Sequence, residues 1–241
     1  MQDKTLLYYC HRFEKLRRDH RNGGAPHKPV LLISIIKAFQ EGILTDENIK
    51  ILPELVGLFK TYWYKLVETN HQCLFTLPFY HMRSEPFWQL IPNPGCEIWI
   101  KSKGAMRTLA NLNTAVHHAQ IDSKLVELFN KKEDSEVLLQ FLLDTYFPVT
   151  KQRSGGRTSD YLSGITKEIL EEPQEEYQKR LLEIRGRLDN AAFEEEVFVR
   201  SSVFKKEVPK VYNYSCCISG LRVDSLLNVS MVDACHIIPF A

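Results

Sequence analysis

The sequence predicts an α+β fold dominated by helices, with an N-terminal domain over residues 1–150, a linker and helical connector over 151–207, and the start of a second domain over 208–241. Three observations predict this organisation. Apolar residues recur at helical spacing in long stretches, and short β-like runs lie between Pro, Asn and Gly residues. A polar, glycine-containing segment separates this N-terminal part from the charged helical part that follows it. With 241 residues, 44% of them hydrophobic, the chain can bury one large or two smaller cores.

The N-terminal domain opens with a predicted amphipathic helix over residues 3–20, where apolar residues recur at helical spacing. Residues 21–25 interrupt it. Pro26 and Pro29 then stand where a first turn tolerates proline, ahead of an apolar run that predicts a largely buried second helix over 30–42. The same reasoning predicts helices over 53–67, 122–131 and 134–146, and strands over 73–76, 87–91 and 97–100.

The connector begins with residues 151–159, whose composition is typical of an exposed linker. A long charged helix is predicted over 165–187 and a second helix over 190–204. Beyond them, short extended runs over 210–217 and 229–234 predict a strand, a turn and a second strand.

The charge is unevenly distributed along the chain. A formal net charge of +1 provides no overall attraction to nucleic acid. Residues 1–37 nevertheless carry eight Lys and Arg against three acidic residues, whereas 160–207 carry twelve acidic residues against eight basic ones. A polyanionic partner is therefore expected first at the basic end, although solvated helix faces explain the same charges.

Composition also excludes several classes of protein. No apolar run reaches the roughly 20 residues of a membrane helix, and the first residues lack the cationic and apolar order of a secretory signal. We therefore expect a cytoplasmic protein with no membrane partner. Six cysteines are too few for a disulfide framework in a chain of this length, and packed thiols are favoured over a zinc knuckle.

The most informative feature is a pair of segments near the C-terminus, residues 212–220 (YNYSCCISG) and 232–240 (VDACHIIPF). This pair resembles the first half of an HNH (ββα-metal) nuclease domain of the McrA-like branch. The resemblance implies that the two segments form the first β-hairpin of that domain.

The resemblance also implies a chemical role for two residues. In the family, the His of the second strand is the general base that activates water toward a phosphodiester, and a divalent metal ion such as Mg²⁺ offsets the developing charge. His236 matches this base, with a structural histidine as the alternative, and Asp233 is a metal ligand, an orienting group or part of a turn. The middle Asn, the final His and the metal-binding helix of the motif do not appear before Ala241. We therefore expect a truncated HNH endonuclease that is inactive alone and holds no cofactor itself.

A second pattern lies in the N-terminal domain, in residues 24–32 (GAPHKPVLL), 77–82 (LPFYHM) and 87–90 (FWQL). Over residues 3–148 the chain resembles the sulfur-binding domain that precedes an HNH domain in type IV, modification-dependent restriction endonucleases acting on phosphorothioated DNA. The pairing of both patterns in one chain is more specific than either pattern alone.

This second resemblance implies a DNA-binding site. A phosphorothioate carries a large, weakly hydrated sulfur in place of one phosphate oxygen, so its reader needs an apolar depression beside donors for the remaining oxygens. Carried over by position, the resemblance assigns the depression and its edge to Leu77, Pro78, Phe79, Tyr80 and His81. It assigns the donors to His27 and Lys28. Sequence-independent phosphate contacts would come from Arg17, Arg18 and Arg21. Leu77 stands where family members carry Tyr. Core packing is the alternative for the apolar residues, and helix capping for His27.

Together the two resemblances predict a defence-type restriction endonuclease that binds backbone-modified double-stranded DNA, hydrolyses phosphodiester bonds nearby, and works as a homodimer when both strands are cut. One alternative is a non-catalytic DNA-binding module. Another is a reader of methylated bases fused to the same nuclease, in which Trp63, Tyr80 and Trp88 would form a cage for a flipped base.

Overall fold

The computed structural model describes residues 4–102, 104–155, 160–216 and 218–222. The helices are α1 (Lys4–Glu14), α2 (His27–Gln40), α3 (Pro53–Leu66), α4 (Thr76–His81), α5 (Leu109–Ala115), α6 (Ser123–Asn130), α7 (Lys132–Tyr146), α8 (Asp160–Glu171), α9 (Gln174–Arg187) and α10 (Asn190–Val211). The strands are β1 (Asn48–Ile49), β2 (Trp88–Pro92) and β3 (Val116–Ile121). The general prediction of a helix-dominated α+β fold is confirmed.

The strands form one small antiparallel sheet in the order β1-β3-β2. Asn48 pairs with Gln120, and Trp88 pairs with Ile121. The register shifts at Pro92, which has no N–H to donate to the ladder. The predicted strand over 87–91 is confirmed, whereas β1 and β3 were not predicted.

Helix α2 runs through the centre of the core. Its apolar residues are buried on every side, and it packs against α3, α4, α6 and α7. A helix surrounded in this way is apolar all round rather than along one stripe, and this property made the second helix predictable. The helices predicted over 53–67, 122–131 and 134–146 are confirmed as α3, α6 and α7.

Two predicted strands are wrong. The run over 73–76 ends in the first residue of a helix, because Thr76 begins α4. The run over 97–100 ends inside a short 3₁₀ helix, Trp99–Lys101. Apolar runs this short do not distinguish a strand from a buried helical turn by periodicity alone. The first helix is also shorter than predicted and ends at Glu14.

The connector folds back onto the N-terminal helices. Leu162 of α8 lies against Gly57 of α3, where an added Cβ would come within 2.7 Å of the leucine Cδ2. Ile165 is buried in the main core, and α10 packs against α3, α5 and α8. The glycine therefore lets α8 approach α3 closely.

The connector also corrects two predictions. The single helix predicted over 165–187 is two helices, α8 and α9, with Pro173 immediately before α9 begins. Proline has no N–H for the helical hydrogen bond and therefore favours a break at this point. The strand predicted over 210–217 is wrong where the structure describes it, because α10 continues to Val211 and turn residues follow. The partner run over 229–234 lies outside the described residues.

Within the described ranges, no helix combines the length and the apolar composition that crossing a membrane requires. Four cysteines in these ranges, Cys10, Cys73, Cys96 and Cys216, are free thiols.

Candidate nucleic-acid interface

Helices α2 and α4 pack against each other, although α4 begins about fifty residues after α2 does. The His27 ring at the start of α2 packs 4.6 Å from Trp63 and 5.8 Å from His71, measured between ring centroids. Its Nε2 lies 2.8 Å from the carbonyl oxygen of Gln72. The structure thus brings together the two segments that carry the sulfur-binding resemblance.

Lys28 is buried, and its charge is paired within the protein. Its Nζ forms an ion pair with the Glu85 carboxylate and donates to the Ser84 hydroxyl at 2.7 Å. The backbone N–H of Arg17 donates to the same Glu85 carboxylate at 3.0 Å. Burial lowers the pKa of Lys28, and the hydrogen bond that Lys28 donates to Glu85 opposes this shift. Through Glu85, Lys28 links α2 to residues 84–85 and to Arg17. It is buried and paired within the protein rather than exposed as the donor that the resemblance implies.

His27 is uncharged at neutral pH. Burial lowers the pKa of its imidazole to about 4, against the opposing hydrogen bond to Gln72, and the nearby His71 and His81 lower it further. Because a carbonyl oxygen only accepts, Nε2 is the nitrogen that carries the hydrogen and donates to Gln72, which leaves Nδ1 as an acceptor. His27 therefore uses its donor inside the protein.

The stability of the protein is expected to fall as the pH drops from about 6.5 to about 4, because the unfolded chain binds a proton at His27 that the folded protein excludes. The loss from this residue is on the order of 2 kcal/mol. Urea unfolding at about pH 7 and about pH 4.5 should show a smaller difference for His27→Gln than for the unaltered protein. His20→Gln, at an exposed position, is the matched control, and His27→Gln should change the pH dependence more than His20→Gln does. An unaltered pH dependence in His27→Gln would contradict the burial argument.

The three predicted phosphate contacts differ in their surroundings. Arg17 and Arg21 are exposed on the loop between α1 and α2. Arg18 is half-buried, lies 4.4 Å over the Tyr146 ring and donates from Nη1 to the Ala25 carbonyl at 3.1 Å. Gly24, at a φ of 86°, passes close to this guanidinium. Arg17 and Arg21 therefore present charge to solvent, while Arg18 holds the loop in shape.

Most of α4 belongs to the core. Pro78, Phe79 and Tyr80 are buried, and the Tyr80 hydroxyl donates to the Ile100 carbonyl at 2.7 Å. Leu77 is half-buried and packs with a small apolar cluster that includes Ala191 and Ala192 of the connector, and His81 is exposed. The described surface of α4 is thus formed by its two ends rather than by an open apolar depression.

The aromatic cage expected of a methylated-base reader is not formed. Trp63, Tyr80 and Trp88 are all buried in the main core, and Trp88 packs edge-on against Phe79 at 5.3 Å. Rings that are buried in this way present no open face on which a flipped base could stack.

Sequence reasoning missed two residues that organise this region, Glu85 and Glu195. Glu85 pairs with Lys28, and Glu195 is a buried carboxylate of α10 that reaches the start of α4. Glu195 lies in a run of three glutamates, residues 194–196, and such a run is usually a solvated helix face. No sequence signal distinguished these two carboxylates from exposed ones.

The predicted general base His236 and the predicted metal ligand Asp233 lie outside the described residues. In the ranges the structure describes, no group of three or more His, Cys, Asp or Glu side chains could hold a metal ion.

No family model matches the chain, and no curated protein matches it.

Proposed function

We propose that this chain is the DNA-reading part, with the start of the nuclease part, of a modification-dependent HNH endonuclease that binds phosphorothioated double-stranded DNA. The observation that carries the proposal is the contact between α2 and α4. Two segments that separately resemble the sulfur-binding pattern in sequence lie next to each other, and the backbone N–H of Arg17, in the basic loop before α2, donates to Glu85 just beyond α4.

The charges around this surface suit a DNA backbone. Arg17 and Arg21 are exposed, and the backbone of Arg17 is bonded to Glu85, the partner of Lys28. Both side chains are therefore available for the salt-dependent contacts that dominate DNA affinity. The neutral His27 and the half-buried Leu77 bind water only weakly, so the region where α2 meets α4 is poorly hydrated. A weakly hydrated sulfur loses less on leaving water for such a surface than a phosphate oxygen does.

Cleavage is proposed from the C-terminal resemblance. His236 would act as the general base and Asp233 as a metal ligand or orienting group. A divalent cation such as Mg²⁺, bound by the complete motif, would supply charge neutralisation at the phosphodiester. Cutting both strands would require two copies of the chain.

Binding of the 241-residue chain to labelled duplexes tests the proposal. Fluorescence anisotropy should show an affinity for DNA that falls steeply with salt. Of two duplexes that carry the phosphorothioate in opposite stereochemical configurations, one should bind more tightly than the unmodified duplex, because only one of the two non-bridging positions can face the protein. Equal affinity for all three duplexes would contradict sulfur reading, and salt-independent or absent binding would contradict DNA binding.

His81→Ala locates the reading surface. Losing one polar contact at the exposed end of α4 should lower the preference for the modified duplex by about fivefold, the equivalent of about 1 kcal/mol. His11→Ala removes an exposed histidine from α1 and should leave the preference unchanged. An equal loss in both variants would place the reading surface elsewhere.

A further inference from the structure

The start of α4 is held by the connector. The buried Glu195 carboxylate of α10 accepts hydrogen bonds from two successive backbone N–H groups, those of Phe75 and Thr76, each at 3.0 Å. The first N–H groups of any helix lack partners within the helix. Glu195 supplies those partners from a position about 120 residues further along the chain.

Nearby side chains do not take over this task. Phe75 precedes α4 and its side chain has no acceptor. The Thr76 hydroxyl donates to the Arg107 carbonyl at 2.7 Å. The next residue, Leu77, packs with Ala191 and Ala192 of α10. Both the backbone and a side chain of the first turn of α4 are therefore fixed by the same connector helix.

Helix α10 is itself firmly anchored. At its start, Asp189 accepts from the Ala192 N–H at 2.9 Å and pairs with Arg107 at 3.3 Å. About two turns later, the Glu196 carboxylate pairs with Lys60 of α3 at 2.9 Å. These contacts lie on either side of Glu195, so its carboxylate has little freedom to move.

We propose that Glu195 is a positioning residue for DNA reading, because α10 sets the place of α4 against the start of α2 and thereby the selectivity for a modified backbone. The inference rests on the proposed function of the α2–α4 surface. Because coupling between two binding events is reciprocal, modified DNA on that surface should also tighten the docking of α10. The reading surface and the helix that leads toward the C-terminal segment are then coupled through one carboxylate.

Glu195→Gln tests the positioning role. The amide keeps the size of the side chain, but one of its two oxygens becomes an NH₂ group that cannot accept, so one N–H of α4 loses its partner. The ratio of affinities for the preferred phosphorothioate duplex and the plain duplex should fall by at least about fivefold, while affinity for plain DNA changes by less than about twofold. Hydrogen exchange at the Phe75 and Thr76 amides should become faster.

Glu194→Gln is the matched control. Glu194 lies on the same helix and also accepts from a backbone N–H, that of Ala110 at 2.7 Å, but at an exposed position in α5. The affinity ratio should stay within about twofold of the unaltered value in this variant. An equal fall of the affinity ratio in both variants would mean that Glu195 only stabilises the fold, and this result would overturn the inference.

A second measurement needs no variant. In the unaltered protein, the preferred phosphorothioate duplex should slow hydrogen exchange in residues 190–200 more than the plain duplex does at equal saturation. If the unaltered protein prefers modified DNA but Glu195→Gln keeps that preference, or if exchange in α10 does not respond, the inference is wrong and the proposed function stands. If the unaltered protein shows no preference, the proposed function fails and the inference fails with it.

Discussion

Glu196→Leu is expected to lower the free energy of unfolding by about 3–5 kcal/mol, because it removes one side of a buried ion pair and leaves a cation without compensation. Lys60 Nζ lies 2.9 Å from Glu196 Oε2, and the two side chains are only 2% and 7% exposed. The same carboxylate accepts from Arg200 Nε at 2.8 Å and from the Tyr161 hydroxyl. The variant therefore disrupts one contact between the connector and α3 and two contacts within the connector.

Two further variants serve as controls for Glu196→Leu. Lys60→Met combined with Glu196→Leu should recover at least about half of the loss, because no lysine charge is then stranded, and Arg200 still pairs with Glu168 at 2.7 Å. Lys167→Ala removes an exposed pair with Glu171 and should change stability by less than about 0.5 kcal/mol. Urea unfolding measures all three. A loss below about 1 kcal/mol for Glu196→Leu would show that the buried network contributes little.

The same network predicts a pH dependence with a defined sign. Burial alone would raise the pKa of Glu196, but Lys60, Tyr161 and Arg200 outweigh burial and hold it below its usual value. A depressed carboxylate pKa contributes stability above the pKa of the unfolded chain, and that stability is lost as the pH falls through the folded value. Burial raises the pKa of Glu195, whose contribution therefore has the opposite sign. The contributions of these two adjacent carboxylates to the pH dependence of the free energy of unfolding therefore partly cancel.

His236→Ala is expected to lower the rate of DNA cleavage by about 10²- to 10⁴-fold or more in a chain that continues through a complete HNH motif, because a positioned general base contributes about that much. In the proposed step, His236 takes the proton of the attacking water while the phosphodiester bond to the leaving oxygen breaks. Affinity for DNA should not change, since the proposed reading surface lies in the N-terminal helices. Cleavage of a labelled phosphorothioate duplex measures the effect.

Imidazole added in solution separates a catalytic role from a structural one. If His236 is the base, free imidazole should restore part of the activity of His236→Ala, because it can accept the same proton. His20→Ala, which alters an exposed histidine in the N-terminal part, should cleave normally. Full activity in His236→Ala would show that the motif does not carry the chemistry.

Long apolar patterns were sufficient to predict α2, α3, α6 and α7, because these helices present apolar residues to the core over many positions. The five-residue β2 was predicted from a short β-like run between turn-forming residues. The short elements could not be predicted in the same way. α4 spans six residues, too few for a period to emerge, and its start depends on Glu195. The turn after Val211 likewise replaced an expected strand because α10 continues into the segment.

The candidate nucleic-acid interface was likewise predictable only in part. The sequence by itself determined which segments match the sulfur-binding pattern and that the basic residues cluster near the N-terminus. Only the tertiary structure decided that Lys28 is paired with Glu85, 57 positions away, and that His27 is neutral. The physical reason is that a side chain's charge and its free donors depend on burial and on partners distant in the chain. Packing of the whole fold selects those partners, and local spacing carries no information about them.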